Sequence, residues 1–78
     1  MDPMNALIYM VFYCANTGLC IENGGYTFQT PKDCIAYMVK LGKGHETTLD
    51  GSKLFIGPKP YRGRYECMQR PASQWQPL

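Results

Sequence analysis

A chain of 78 residues is long enough for one domain and too short for a second. A domain of this size buries only about 60% of its unfolded surface, so a catalytic centre with a bound cofactor is not expected. The composition, 45% hydrophobic and 18% charged, excludes a long disordered or collagen-like chain. We predict one domain over residues 6–69, an N-terminal extension over residues 1–5 and an extended tail over residues 70–78.

The charges are divided unevenly along the chain. Residues 1–39 contain one lysine against three carboxylates, whereas residues 40–78 contain seven lysines and arginines against three carboxylates. The formal net charge of +2 is too small for charge alone to drive binding to nucleic acid. The basic second half is either a solvated surface or a surface that binds an acidic partner.

The first apolar run, residues 7–14, is short and aromatic-rich and lacks alternation, a pattern typical of a central strand covered on both faces. The turn residues 15–18 and the second strand-like segment, residues 19–22, predict a hairpin over residues 7–22, which residues 26–28 extend or bulge. The run is too short to span a bilayer and lacks the basic start and cleavage site of a secretory signal. We therefore expect no membrane association and a cytoplasmic location.

A helix is predicted over residues 31–41. An N-cap, a proline at the first helical position and an acid in the first turn occur together in residues 30–33. Gly42 is expected to end the helix as a left-handed cap. On the outer face Tyr37 is a candidate exposed aromatic residue, near Lys40. The predicted apolar face consists of Cys34, Ile35, Met38, Val39 and Leu41.

The second half of the chain is expected to form two strands. Residues 42–52 are polar and glycine-rich and predict a mobile loop, and their Gly-Lys-Gly fragment lacks the pattern of a phosphate-binding loop. Residues 53–56 predict a short strand ended by prolines. Residues 61–68 predict the last strand, with odd positions facing the core and even positions facing water. The resulting order, β-β-α-β-β, is an α+β fold with one helix packed on an antiparallel sheet.

The four cysteines leave two interpretations open. No spacing matches a zinc site, and we expect no metal and no cofactor. In the predicted fold Cys34 on the helix can meet Cys67 on the last strand, and Cys14 can pair with Cys20 across the hairpin. The other interpretation, which we favour for a cytoplasmic protein, is that all four are free thiols that pack as small hydrophobic residues.

Binding is better supported than catalysis. The carboxylates are scattered or explained by helix capping, and no nucleophile, base and acid converge, so we expect no enzymatic activity. Cations and aromatic side chains alternate from Lys53 to Arg64, and Arg and Tyr side chains dominate interfaces and also hold phosphates and stack on bases. The same pattern is typical of an edge strand protected against aggregation. The candidate partner-binding residues are Lys53, Lys59, Tyr61, Arg62 and Arg64, with Arg62 at an exposed strand edge, and then Tyr37 and Lys40.

The layout resembles that of small phage and prophage accessory proteins. The resemblance rests on the apolar hairpin, on Phe28-x-Thr30-x-x-x-Cys34 at the start of the helix, and on Tyr65-x-Cys67 near the end. Some proteins of this size and layout are anti-CRISPR inhibitors, which occupy a nucleic-acid path or a partner surface on a host complex. The resemblance implies a non-enzymatic, phage-encoded protein that inhibits a host protein or ribonucleoprotein complex such as a CRISPR effector. Many such inhibitors imitate DNA with acidic surfaces, and the basic second half departs from that imitation.

Two alternatives belong to other classes of protein. The first is a small nucleic-acid-binding module that uses the basic C-terminal strand. The second is a secreted domain held together by disulfides. For each of these interpretations the protein is expected to be a monomer or a homodimer, and Trp75 in the tail is either free or an anchor against the sheet or a partner.

Overall fold

One helix packs against one antiparallel sheet in residues 7–71, the part of the chain that the computed structural model describes. The predicted α+β fold is therefore confirmed, whereas the extension over residues 1–5 and Trp75 lie outside the described residues. The sheet has five strands in the order β2-β1-β5-β4-β3. In chain order the elements are β1 (Leu7–Ala15), β2 (Cys20–Glu22), α1 (Pro31–Leu41), β3 (Thr47–Asp50), β4 (Lys53–Ile56) and β5 (Gly63–Pro71).

The predicted hairpin consists of β1 and β2. β1 lies between β2 and β5 and pairs with β5 over its whole length, so it is an interior strand as predicted. β2 is short, and the chain bulges out after it before Phe28 returns to form an isolated bridge with Tyr9. Their backbones exchange two hydrogen bonds of 2.8 and 2.9 Å. Of the residues 26–28 that were expected to extend or bulge the second strand, Phe28 alone pairs with β1, and β2 ends at Glu22.

The helix begins where its capping residues predict. The Thr30 hydroxyl accepts a hydrogen bond of 3.2 Å from the Asp33 backbone N–H, and the helix ends at Leu41. Gly42 follows with φ −81°, which is a helical conformation, so its expected role as a left-handed cap is wrong. A larger residue there would require its neighbours to shift, because an added Cβ would lie 2.7 Å from Cδ2 of Leu54 and 3.0 Å from Cγ2 of Thr47.

The buried face of α1 is rotated from the predicted one. Cys34 and Met38 are fully buried, as expected, but Val39 is 45% exposed. Tyr37 is half-buried and packs against the core, so its predicted role as an exposed aromatic residue is wrong. The reason is the period of the helix, since position 37 lies about 60° from position 34, whereas position 39 lies about 140° from it.

The second half of the chain differs from the prediction in three respects. The expected mobile loop contains β3, which forms a hairpin with β4 and pairs from Thr47 opposite Ile56 to Asp50 opposite Lys53. The edges of the sheet are β2 and β3, while β4 and β5 are paired on both sides. The expected exposed strand edge beside Arg62 is therefore wrong. β5 also continues to Pro71, two residues into the expected tail.

All four cysteines are paired, which corrects the preference for free thiols. Cys34 on α1 is bonded to Cys67 on the central strand β5, and Cys14 on β1 is bonded to Cys20 on β2. Val11, Met38 and Leu54 complete the core around the first of these bonds. Because so small a core is marginal, the bond between helix and sheet is a main source of stability.

Candidate functional site

The two faces of the sheet differ in what covers them. Val11, Leu54 and Cys67 point toward α1, so the alternate residues of the same strands point away from it. Within residues 7–71 no helix lies over that second surface, which we call the helix-free face. Along the two central strands its side chains are Ile8, Met10, Phe12 and Cys14 of β1, and Arg64, Glu66, Met68 and Arg70 of β5.

Arg64 lies near the middle of the helix-free face. Its Nε donates a hydrogen bond of 3.1 Å to Oε2 of Glu66, two residues further along β5. The two side chains are 25% and 19% exposed, so each is largely covered by its neighbours. Arg64 lies opposite Cys14 on one side and Phe55 on the other. A guanidinium held in place between apolar neighbours is already ordered, which lowers the entropy cost of binding through it.

A second group on the same face combines aromatic, sulfur and guanidinium groups. The Arg70 guanidinium carbon lies 5.3 Å from the centre of the Phe12 ring. Nη2 of Arg70 lies 3.5 Å from the Met68 sulfur, and Met68 is opposite the buried Met10. Aromatic residues, methionine and arginine are the residues enriched at the centres of protein interfaces.

An aromatic pair borders the face near Arg64. The Tyr61 ring stacks on Phe55 with centroids 4.8 Å apart and an interplanar angle of 30°. Tyr61 belongs to the loop between β4 and β5, and its carbonyl oxygen accepts a hydrogen bond from the Asn16 side chain. The loop is thus joined to the β1–β2 turn, and Tyr61 is held against the sheet.

The helix-free face has balanced charge. The cations that its strands place there are Lys53, Arg64 and Arg70, and the carboxylates are Glu22, Asp50 and Glu66. Lys53 lies opposite Glu66 on β5 and opposite Asp50 on β3. Lys53 of β4 is therefore flanked by acids from both neighbouring strands, a relation that the chain order does not reveal, while the acid beside Arg64 is Glu66 of the same strand.

The structure divides the predicted binding residues into three groups. Lys53 and Arg64 lie together on the helix-free face, and Tyr61 borders it. Lys59 and Arg62 are exposed in the loop between β4 and β5. Tyr37 and Lys40 lie on α1, on the other side of the sheet, where Tyr37 packs against Phe28 and Tyr26.

Sequence reasoning missed the apolar part of this face. Met10, Phe12 and Met68 were not candidates, because the run in β1 is apolar at both odd and even positions and its two faces look alike. The available signal was the alternation in β5, where Arg64, Glu66, Met68 and Arg70 share one parity and therefore one face.

No protein-family model, curated protein or solved structure matches the chain. Within residues 7–71 no helix is long and apolar enough to cross a membrane. The resemblance to phage accessory proteins stays a prediction.

Proposed function

We propose that the protein is a non-enzymatic binding protein and that its helix-free face binds another protein. The observation that supports this most directly is the surface around Arg64. Interior strands place the half-buried side chains of Arg64, Met68 and Phe12 there, and no helix of residues 7–71 lies over them. These residue types are typical of interface centres, and a large arginine held between apolar neighbours is typical of a binding hot spot.

Three of the carboxylates in residues 7–71 already have a structural role. Glu66 is paired with Arg64, and the Glu22 carboxylate accepts a hydrogen bond from the Gly25 backbone N–H. Asp33 lies in the first turn of α1, where a negative charge stabilises the positive end of the helix dipole. These contacts support a binding protein over an enzyme.

The balance of charge favours a protein partner over nucleic acid. Affinity for nucleic acid comes mainly from cations that neutralise phosphates. On the helix-free face Arg64 and Lys53 already have a carboxylate beside them, that of Glu66, and Arg70 lies against the Phe12 ring. A phosphate backbone would approach Glu66 and Asp50 together with Lys53 and Arg64, and the repulsion would offset the attraction.

The resemblance to phage accessory proteins gives the proposal a narrower form. In this form the partner is a host protein complex such as a CRISPR effector, and binding inhibits it. The test is interference by a defined CRISPR effector against a target plasmid, with and without co-expression of the protein. Restored plasmid survival that is lost with Arg64→Gln supports this form, and unchanged interference by every effector type tried contradicts it.

The two disulfides bear on where the protein occurs, and they are a feature of the secreted alternative. Disulfides persist in oxidising compartments and are rare in the cytoplasm of mesophiles. The pairing of all four cysteines is the observation on the side of export, whereas inhibition of a CRISPR effector requires a cytoplasmic protein, so these two forms of the proposal are alternatives. Alkylation of intact cells before lysis tests this: unmodified cysteines support export, and four alkylated cysteines support the cytoplasmic location.

The nucleic-acid alternative is tested by titrating the protein with single- and double-stranded DNA and RNA at low and moderate salt. We expect weak binding that is unchanged by Arg64→Gln. Tight binding whose logarithm falls linearly with the logarithm of salt, and which weakens in Arg64→Gln, would favour nucleic acid over protein.

A further inference from the structure

The two disulfides differ in how a reductant can reach them. Cys34 and Cys67 are 0% and 8% exposed, and Cys14 is 0% exposed. Cys20, on the short edge strand β2, is half-buried and is thus the most accessible of the four cysteines. A thiolate must approach a disulfide sulfur directly, so access to Cys20 decides which bond reacts first.

The local structure around each disulfide predicts the same order of reduction, with the Cys14–Cys20 bond first. β2 has three residues, and the turn before it, residues 16–19, is fully exposed. Opening this hairpin unpairs an edge strand whose Ile21 and Glu22 are already exposed. Exposing the other bond requires α1 to separate from β5, around a core that includes Met38 and Val11. Local opening at sheet edges needs much less free energy than global unfolding.

We infer that the Cys14–Cys20 bond is a reducible switch within the helix-free face, while the Cys34–Cys67 bond keeps the domain folded. The reactant is a small dithiol. One of its thiolates attacks Sγ of Cys20, the bond to Cys14 breaks, and Cys14 leaves as a thiolate that takes a proton from water. The second thiolate of the reductant then attacks the mixed disulfide and releases Cys20. Two electrons pass to the protein, and the reductant becomes a cyclic disulfide.

The position of this bond connects it to the proposed binding face. Cys14 lies directly opposite Arg64, and its sulfur is 4.0 Å from Oε2 of Glu66, the acceptor that holds Arg64. Reduction frees β2 from β1 and removes the cross-link beside the Arg64–Glu66 pair. The regulatory part of the inference, that reduction changes partner binding, rests on the proposed function, whereas the order of reduction does not.

The order of reduction is measured with limiting dithiothreitol at neutral pH, followed by alkylation and peptide mass spectrometry. We expect Cys14 and Cys20 to be alkylated at least about tenfold faster than Cys34 and Cys67. In 6 M guanidinium chloride the two rates should converge, because folding supplies the difference. Equal rates in the native protein, or a difference that persists in guanidinium, would overturn the inference.

The effect on the fold is read from amide exchange in the selectively reduced and alkylated protein. The Asn23 N–H, which donates to the Val11 carbonyl, should exchange faster, while the amides of α1 should be unchanged. Loss of protection in α1 would show that this bond also holds the core and would overturn the switch. Retention of partner by the reduced protein, while Arg64→Gln loses it, would overturn the regulatory part and leave the proposed function intact.

Discussion

Arg64 and Glu66 lie two residues apart on the central strand and point to the same face of the sheet, where Nε of Arg64 donates to Oε2 of Glu66 over 3.1 Å. At this pair β5 is flanked by β1 and β4. Reversing one charge therefore changes the electrostatic environment of side chains on all three strands. Phe12 lies opposite Glu66, and Phe55 lies opposite Arg64. The pair is therefore both a part of the fold and the polar centre of the proposed binding face.

Arg64→Glu should destabilise the domain by about 1–2 kcal/mol, because it places two partly covered carboxylates side by side. The exchanged variant Arg64→Glu/Glu66→Arg restores opposite charges and should recover most of this loss. Urea unfolding followed by tyrosine fluorescence measures both effects. Equal stability of the single and exchanged variants would show that the ion pair contributes nothing to the fold.

The two disulfides should contribute unequally to stability. The Cys34–Cys67 bond joins residues 33 apart, and the Cys14–Cys20 bond joins residues 6 apart. From the entropy of loop closure, Cys34→Ala/Cys67→Ala should lose about 3–4 kcal/mol and Cys14→Ala/Cys20→Ala about 2 kcal/mol. Urea unfolding of the two double variants measures the difference. A larger loss in the hairpin variant would contradict the assignment of the core bond as the main staple.

Two glycines should respond differently to alanine. At Gly63 an added Cβ would lie 3.0 Å from the backbone oxygen of Cys14 and 2.6 Å from the Tyr13 hydroxyl. At Gly42 the nearest atom, 2.7 Å away, is the end of the Leu54 side chain, which can rotate. Gly63→Ala should therefore cost about 1–3 kcal/mol and Gly42→Ala less. Thermal unfolding of both variants checks the order, and a greater loss at Gly42 would show that Leu54 cannot move.

Strong local signals explain which parts of the fold the sequence predicts. The Thr30 cap and Pro31 define the start of α1 without help from the rest of the chain, and the apolar run of β1 is followed directly by a turn. β3 has no such signal, because all four of its residues are exposed and its conformation comes from pairing with β4.

The site was only partly predictable because neighbours across a sheet are set by strand order. Lys53 is visible as a candidate in the chain, but Asp50 and Glu66 become its neighbours on both sides only in the folded sheet. The same strand order places β5 at the centre of the sheet. The basic residues that were expected at an exposed edge therefore lie beside or on a paired strand whose face has balanced charge. Residues on that face from β1, such as Phe12, are more than fifty positions away from Glu66 in the sequence and adjacent to it in space.

The most direct test of the helix-free face as a protein-binding surface is quantitative affinity capture with three variants of the tagged protein. The wild-type chain, Arg64→Gln and the matched control Lys40→Gln are compared in nuclease-treated lysate of the cells in which the protein occurs. Both substitutions remove one positive charge, but Lys40 lies on the exposed side of α1. A protein partner should be retained equally by wild type and Lys40→Gln and about 30-fold less by Arg64→Gln, the loss expected for a hot-spot residue worth ~2 kcal/mol. Equal retention by a folded Arg64→Gln variant, or a loss confined to Lys40→Gln, would contradict the proposal.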